Sequence, residues 1–253
     1  MKAPERHGFA ARLVAEGAVV AFVLAWWATA RGLPEFVLPG PFVVGERLVR
    51  LFVDPVFLGH TLASAARVVG SVLLATAIGF ALALLAERVS VANHAVNRRL
   101  LPVLNAIPSV GWAILAVIWF QVSDFSVMFV QVMILVPFCL VNVSEGLRAI
   151  DLELIEMGRS FTRSRLKLLW KVALPLLLPY LVAAIRMAYG IGWKIALVSE
   201  LFGARQGLGA LMLRAQVSAD AALVFATCLG IVVISLAGEK LVIEPLARRV
   251  QVN

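Results

Sequence analysis

The sequence has few charged side chains for its length. Charged residues make up 15% of the 253 residues and apolar residues 62%, whereas an average soluble domain is about 25% charged. The mean hydropathy is +0.95. This composition is too apolar for a soluble globular protein of this size. It is also too rich in leucine, valine and isoleucine for a disordered chain.

Residues with specialised chemistry are also scarce. The two cysteines, Cys139 and Cys228, lie inside apolar runs and are interpreted as packing residues, so neither a disulfide nor a metal framework is expected. The three histidines lie in separate segments, which favours interfacial polar residues over a metal or proton site. No glycine directly precedes a lysine, so the phosphate-binding loop of ATPases is missing. The sequence therefore predicts no enzyme activity, no ATP hydrolysis by this chain and no cofactor.

Long uncharged runs are the main feature that is present. They have 19, 24, 20 and 18 residues and cover 68–86, 100–123, 125–144 and 221–238. A helix of about 20 apolar residues crosses the hydrocarbon core of a bilayer. The sequence therefore predicts an all-α polytopic membrane protein with six transmembrane helices, at about residues 13–30, 58–86, 100–120, 125–144, 172–199 and 221–242.

The first of these spans has two interpretations. It can be a retained transmembrane helix with Trp26 and Trp27 at the outer interface, or a cleaved signal peptide ending at the small residues 28–30. The helix is preferred, because the stretch is long for a signal core and two tryptophans lie where small residues are expected. On this basis residues 1–57 are predicted to form an N-terminal transmembrane helix and an extracytoplasmic segment, and residues 58–253 a five-helix core.

The distribution of lysine and arginine predicts the orientation. With the N-terminus inside, 15 of the 23 cations lie in cytoplasmic pieces, five in outer pieces and three within spans. This bias favours an N-in, C-in topology. It also accounts for the net charge of +8 without a nucleic-acid partner.

The connections carry their own signals. A short amphipathic helix is predicted at about residues 42–52, and a polar connection at 87–99. Pro102 and Pro108 predict a kink or break in the third span near residues 106–109, because each proline removes a helix hydrogen bond. Residues 145–171 form the long polar loop between spans four and five, and one short helix is expected near residues 211–216.

One stretch in that loop resembles the signature of the permeases of binding-protein-dependent ABC importers. The family signature is Glu-Ala-Ala, three residues, Gly, nine residues, then Ile-x-Leu-Pro. Here Glu156, Met157 and Gly158 begin the stretch, Thr162 holds the glycine position, and residues 172–175 close it at the same spacing. Met157 and Thr162 depart from the family pattern.

Other stretches are similar to one branch of that family, the nitrate/sulfonate/taurine-type permeases. The similarity covers nearly all of residues 36–245. It is carried by Leu38-Pro39-Gly40-Pro41, Ser64-x-x-Arg67-Val68-x-Gly70, Ile107-Pro108, Arg159-Ser160-Phe161 and residues 193–200.

The resemblance implies a type I ABC importer permease core with cytoplasmic coupling helices between spans four and five. It implies two separate ATPase subunits, an extracytoplasmic solute-binding protein and a second permease chain, here taken as a homodimer. It also implies a multi-pass position in a bacterial-type inner membrane. The residues expected to couple to the ATPase are Glu156, Met157, Gly158, Arg159, Ser160, Phe161, Thr162, Arg163, Leu174 and Pro175.

Thr162 leaves the shape of the coupling turn open. A glycine there would tolerate a positive φ, which a β-branched threonine does not. Either Thr162 caps a second short helix of this loop, predicted at about residues 164–171, or the turn differs from that of the family. An ordinary basic loop held by anionic lipid is the alternative to a coupling element.

Three cations lie inside predicted spans: Arg67, Arg186 and Lys194. Charges in spans are costly and usually face a bundle interior or an aqueous cavity. Arg186 lies eleven residues beyond Pro175, about 16 Å along a helix, and Lys194 lies on the same broad face. All three, Arg186, Lys194 and Arg67, are candidates for an electropositive translocation path. The alternative is a structural role, paired with Glu145, Glu200 or backbone carbonyls, or snorkelling near a span end.

The predicted function is a permease subunit that moves a small anionic solute, such as nitrate, a sulfonate, taurine or bicarbonate, by alternating access. The main alternative is an autonomous secondary transporter or channel, which would carry ion-coupling acids within its helices. A membrane-embedded enzyme is a third class, and no cluster of catalytic side chains supports it.

Overall fold

A computed structural model describes residues 6–150, 156–157, 160–161 and 164–251. This part of the chain is helical and contains no strand, which confirms the predicted all-α class. The principal helices are α1 (Arg6–Ala30), α2 (Pro41–Val53), α3 (Pro55–Arg88), α4 (Ser90–Ala106), α5 (Ser109–Phe120), α6 (Asp124–Ala149), α7 (Leu174–Gly203), α8 (Leu208–Val217), α9 (Ala221–Gly238) and α10 (Glu244–Gln251).

Three π-helical turns interrupt or join these helices. One lies inside α4 at Val96–Leu100, one precedes α7 at Leu169–Ala173, and one joins α9 to α10 at Glu239–Ile243. A helical turn at Arg165–Leu168 leads into the second of them.

Among the residues that the structure describes, four helices are long and apolar enough to cross a membrane: α3, α6, α7 counted from Trp170, and α9 counted on to Val250. The pair α4–α5 qualifies as a fifth span, bent by 88° at its break. In α1 the apolar part is Val14–Ala30. A polytopic helical protein is thus confirmed, whereas the sixth span and the N-in orientation stay predictions.

The break between α4 and α5 lies where the prolines predicted it. Ile107 is extended, with φ −82° and ψ 120°, because a residue before proline avoids the helical region. The amide of Trp112 then donates a hydrogen bond to the carbonyl of Pro108 at 3.1 Å, which is the first helical hydrogen bond of α5.

Most of the predicted polar connection at 87–99 is helical, because α4 begins at Ser90, before the predicted start of the third span at about residue 100. Asn97 Nδ2 donates to Asn93 Oδ1 at 3.1 Å, one helical turn earlier. Polar side chains at this spacing support each other along a helix, so this polar stretch is compatible with helix.

The described residues fall into two compact units. The first comprises the residues up to Leu58 and Met212–Gly230. Within it, Trp26 Nε1 donates a hydrogen bond to the carbonyl of Pro39 at 3.0 Å. The Trp26 ring stacks on the ring of Phe225, with centroids 6.1 Å apart. Arg47 also pairs with Asp220 at 3.5 Å in this unit.

The second unit comprises Gly59–Leu211 and the residues from Ile231 on. Its core is apolar and includes Val68, Leu135 and Ala188, none of which exposes any surface. Glycines allow the helices to approach closely here. A Cβ on Gly79 would lie 2.7 Å from Cys139 Cβ on α6, so no larger residue fits without moving α3 from α6.

Candidate functional site

A groove on the second unit is lined by the two cations of α7. Arg186 and Lys194 both line it, with Asn142 from α6 and Glu239 from the turn after α9. The groove has a volume of about 490 Å³, and its remaining lining residues are small or apolar: Ala183, Met187, Gly190 and Ile191. Two of the three cations that sequence predicted for a translocation path therefore line the same groove.

Glu239 is the residue of this groove that sequence reasoning missed. Its Oε1 lies 2.6 Å from Nε of Arg186, with 23% of the glutamate side chain and 54% of the arginine side chain exposed. The expected acidic partners were Glu145 and Glu200. A usable signal was present, since Glu239 directly follows an uncharged run of 18 residues and so falls within the sixth span.

Local structure sets the position of Glu239 beside α7. The hydroxyl of Tyr189 donates to the carbonyl of Ile234 at 3.3 Å, which ties α7 to α9. Gly238 lies directly against the Tyr189 hydroxyl, and any Cβ at residue 238 would collide with it. Glu239 then begins the π-helical turn Glu239–Ile243. π-Helical turns of this kind are frequent at functional sites.

Lys194 contributes a second positive charge. Its side chain is exposed, and within the described residues it has no ion pair or hydrogen bond. With Arg186 and Glu239 the groove carries two positive charges and one negative charge. A net positive groove attracts small anions electrostatically.

Arg67 lies elsewhere, in a buried polar cluster between α3, α6, α7 and the segment before α8. Its Nη1 donates to Glu200 Oε1 at 2.7 Å and to the carbonyl of Gln206 at 2.8 Å. Its Nε and Nη2 donate to Asp124 Oδ1 at 3.0 and 2.7 Å. The side chain is 8% exposed and that of Glu200 1%. This bonding is what the structural alternative predicted for an in-span cation, and a path role for Arg67 stays a prediction.

The same cluster holds the segment that leads into α8. Glu200 Oε2 accepts from Ser64 Oγ at 2.8 Å and from the amide of Gly209 at 2.9 Å. The amide of Leu208 donates a hydrogen bond to Ser64 Oγ at 2.8 Å, and the amide of Gly207 donates one to His60 Nδ1 at 3.0 Å. Gly207 has a φ of +125°, so only glycine fits this turn easily.

The predicted coupling stretch is described in part. Glu156, Met157, Ser160 and Phe161 are all exposed, and Met157 and Phe161 expose 55% and 83% of their surface. Leu174 and Pro175 open α7. Gly158, Arg159, Thr162 and Arg163 lie outside the described residues, so the geometry of the turn at Thr162 stays a prediction.

Comparisons with known proteins agree with this architecture. The family model described as "Binding-protein-dependent transport system inner membrane component" matches residues 75–242. The taurine transport system permease protein of Escherichia coli is 26% identical over 76% of this chain and 72% of its own. The riboflavin transport system permease protein of Chloroflexus aurantiacus is 32% identical over 85% of this chain and 81% of its own.

A solved structure shares the fold. A chain from the inward-facing conformations of the MetNI methionine ABC transporter superposes with a TM-score of 0.56 at 18% identity. The match covers 76% of this chain and 96% of that chain.

Proposed function

The chain belongs to the family of binding-protein-dependent inner-membrane permeases of ABC importers, and we propose that it carries a small anionic solute. Nitrate, taurine or another sulfonate, and bicarbonate are the candidates. The observation that carries this proposal is a groove lined by two cations, Arg186 and Lys194, and one acid, Glu239.

The charge balance of the groove favours an anion over a neutral solute. A guanidinium binds planar or tetrahedral oxyanions through paired donors, and an ammonium adds an undirected positive charge. The taurine permease among the relatives supports a sulfonate, whereas the riboflavin permease points to an uncharged solute. Two cations against one carboxylate leave the groove with an excess charge that an oxyanion would balance.

The driving force is proposed to come from partner subunits. Since the chain lacks a phosphate-binding loop, two separate ATPase subunits would hydrolyse ATP. They would dock on the exposed stretch around Met157 and Phe161. An extracytoplasmic binding protein would deliver the solute to a pair of identical permease chains, which would alternate between outward-facing and inward-facing states.

Substitution of Arg186 tests the proposal. In cells that carry the complete transporter, Arg186→Ala should lower taurine or nitrate uptake at least tenfold, because the strongest oxyanion donor in the groove is removed. Arg186→Lys keeps the charge and should be milder. The assembled complex should be recovered at wild-type yield in both cases.

Two results would count against this role of Arg186. Normal anion uptake by Arg186→Ala would remove the residue from the path. Loss of insertion or assembly in that variant would instead favour a structural role for its pair with Glu239.

A further inference from the structure

We propose that Glu239 is a built-in competitor that occupies Arg186 until an oxyanion solute displaces it. Its carboxylate then sets how tightly and how selectively the groove binds anions. The inference rests on the proposed function, because it assumes that the groove between α7 and the turn after α9 receives an anion.

The two in-span arginines show why the pair with Glu239 is open to exchange. Arg67 makes four hydrogen bonds to three residues, and its side chain is 8% exposed. Within the described part of the chain Arg186 pairs with Glu239, and its side chain, which lines the groove, is 54% exposed. A pair that water reaches is weak, since solvent screens its attraction. An incoming anion can therefore compete for the guanidinium of Arg186 but not for that of Arg67.

Glu239 offers Arg186 the same chemistry as the proposed solutes. A carboxylate, a sulfonate and a bicarbonate each present oxygen acceptors that a guanidinium binds in the same way. While Glu239 holds Arg186, the groove carries one net positive charge, and neutralising Glu239 would leave two. A residue that raises the cost of binding lowers the affinity for every anion and excludes the weakly bound ones, which contributes selectivity.

The backbone holds Glu239 in place for this role. Tyr189 on α7 bonds the carbonyl of Ile234, and Gly238 packs against the Tyr189 hydroxyl without room for a side chain. These contacts fix the register of α9 against α7 just before Glu239. The carboxylate can therefore leave and return to Arg186 by side-chain rotation, without a shift of either helix.

Equilibrium binding to the purified permease–ATPase complex, without the binding protein, tests the proposal. The probes are radiolabelled taurine and bicarbonate, with riboflavin as an uncharged comparator. Glu239→Gln should tighten taurine or bicarbonate binding about two- to fivefold, the range expected for releasing a half-exposed ion pair. Riboflavin binding should not change.

A matched variant controls for net charge. Glu244→Gln removes the same charge five residues later, where Glu244 pairs with Arg248 at 3.5 Å outside the groove. It should leave anion binding unchanged. In an Arg186→Gln background, Glu239→Gln should also lose its effect, because the competition requires the guanidinium.

The outcomes separate the two proposals. If wild-type complex binds neither taurine nor bicarbonate, the proposed anion function fails, and this inference fails with it. If wild-type binds an anion and Glu239→Gln binds it equally or more weakly, the function stands and the competitor role is overturned. If Glu239→Gln does not assemble, Glu239→Asp provides the test. Its shorter carboxylate should bind Arg186 less well and tighten anion binding, and unchanged or weaker binding would overturn the inference.

Discussion

Arg67 and Arg186 carry the same charge within the spans, but their surroundings differ. Arg67 is enclosed by acceptors from Asp124, Glu200 and Gln206, whereas Arg186 faces an open groove with Glu239 beside it. Sequence predicted that both are in-span cations, because charge is visible in a single sequence. It could not separate their roles, since the partners lie 53 or more positions away in the chain.

The buried cluster around Arg67 predicts a large stability effect. Arg67→Met should lower the free energy of unfolding by about 3–5 kcal/mol, because it leaves the buried carboxylate of Glu200 without its cation. Thermal unfolding of the detergent-solubilised chain measures this. The double variant Arg67→Met/Glu200→Gln should recover part of the loss.

An exposed pair provides the control for Arg67. Arg50 bonds Glu46 at 2.6 Å with 54% and 63% of the side chains exposed, so Arg50→Met should cost about 0–1 kcal/mol. Equal losses for Arg67→Met and Arg50→Met would show that burial of the cluster does not matter.

The close contact at Gly79 indicates that α3 and α6 pack tightly against each other. Gly79→Ala would place a Cβ 2.8 Å from the backbone amide nitrogen of Leu140, and overpacking of this kind costs about 1–3 kcal/mol. Gly59→Ala on the same helix meets nothing within 4 Å and should be neutral or slightly stabilising. Melting temperatures of the two variants compare them directly, and a Gly79→Ala protein as stable as wild type would contradict the close contact.

At the scale of elements, local sequence signals predicted much of the helical layout. The short helix expected at 42–52 is α2 (Pro41–Val53), and the proline pair predicted the break after Ala106. These signals depend on neighbouring residues alone. The start of α4 at Ser90 was missed, because a polar helix and a polar loop have similar composition.

The exposed residues of the coupling stretch predict where a partner docks. Phe161→Ala should weaken recovery of the ATPase subunit in a pull-down severalfold, because an aromatic side chain with 83% of its surface exposed is a typical interface anchor. Glu156→Lys should weaken it too, while the permease still inserts in the membrane.

Another exposed phenylalanine serves as the control for docking. Phe42 on α2 exposes 79% of its surface and is predicted to lie on the opposite side of the membrane, so Phe42→Ala should leave ATPase recovery unchanged. Full recovery with both Phe161→Ala and Glu156→Lys would mean that the stretch from Glu156 to Phe161 is not the coupling element.

At the scale of the whole molecule, family membership and groove chemistry answer different questions. The match over residues 75–242 identifies an inner-membrane importer permease, whereas relatives with taurine and riboflavin in their names leave the solute class open. The solute could not be read from the sequence, because the groove is assembled from α6, α7 and the turn after α9. The charges of Arg186, Lys194 and Glu239 lead to the proposal of an anion.

Uptake into proteoliposomes tests this account most directly. The vesicles would hold the complete transporter with ATP inside and the binding protein outside, and radiolabelled taurine, nitrate and bicarbonate would be supplied in turn. The account predicts accumulation of at least one of these anions that requires both ATP and the binding protein and falls at least tenfold with Arg186→Ala. Accumulation driven by a proton or sodium gradient without ATP would contradict it and identify an autonomous secondary transporter.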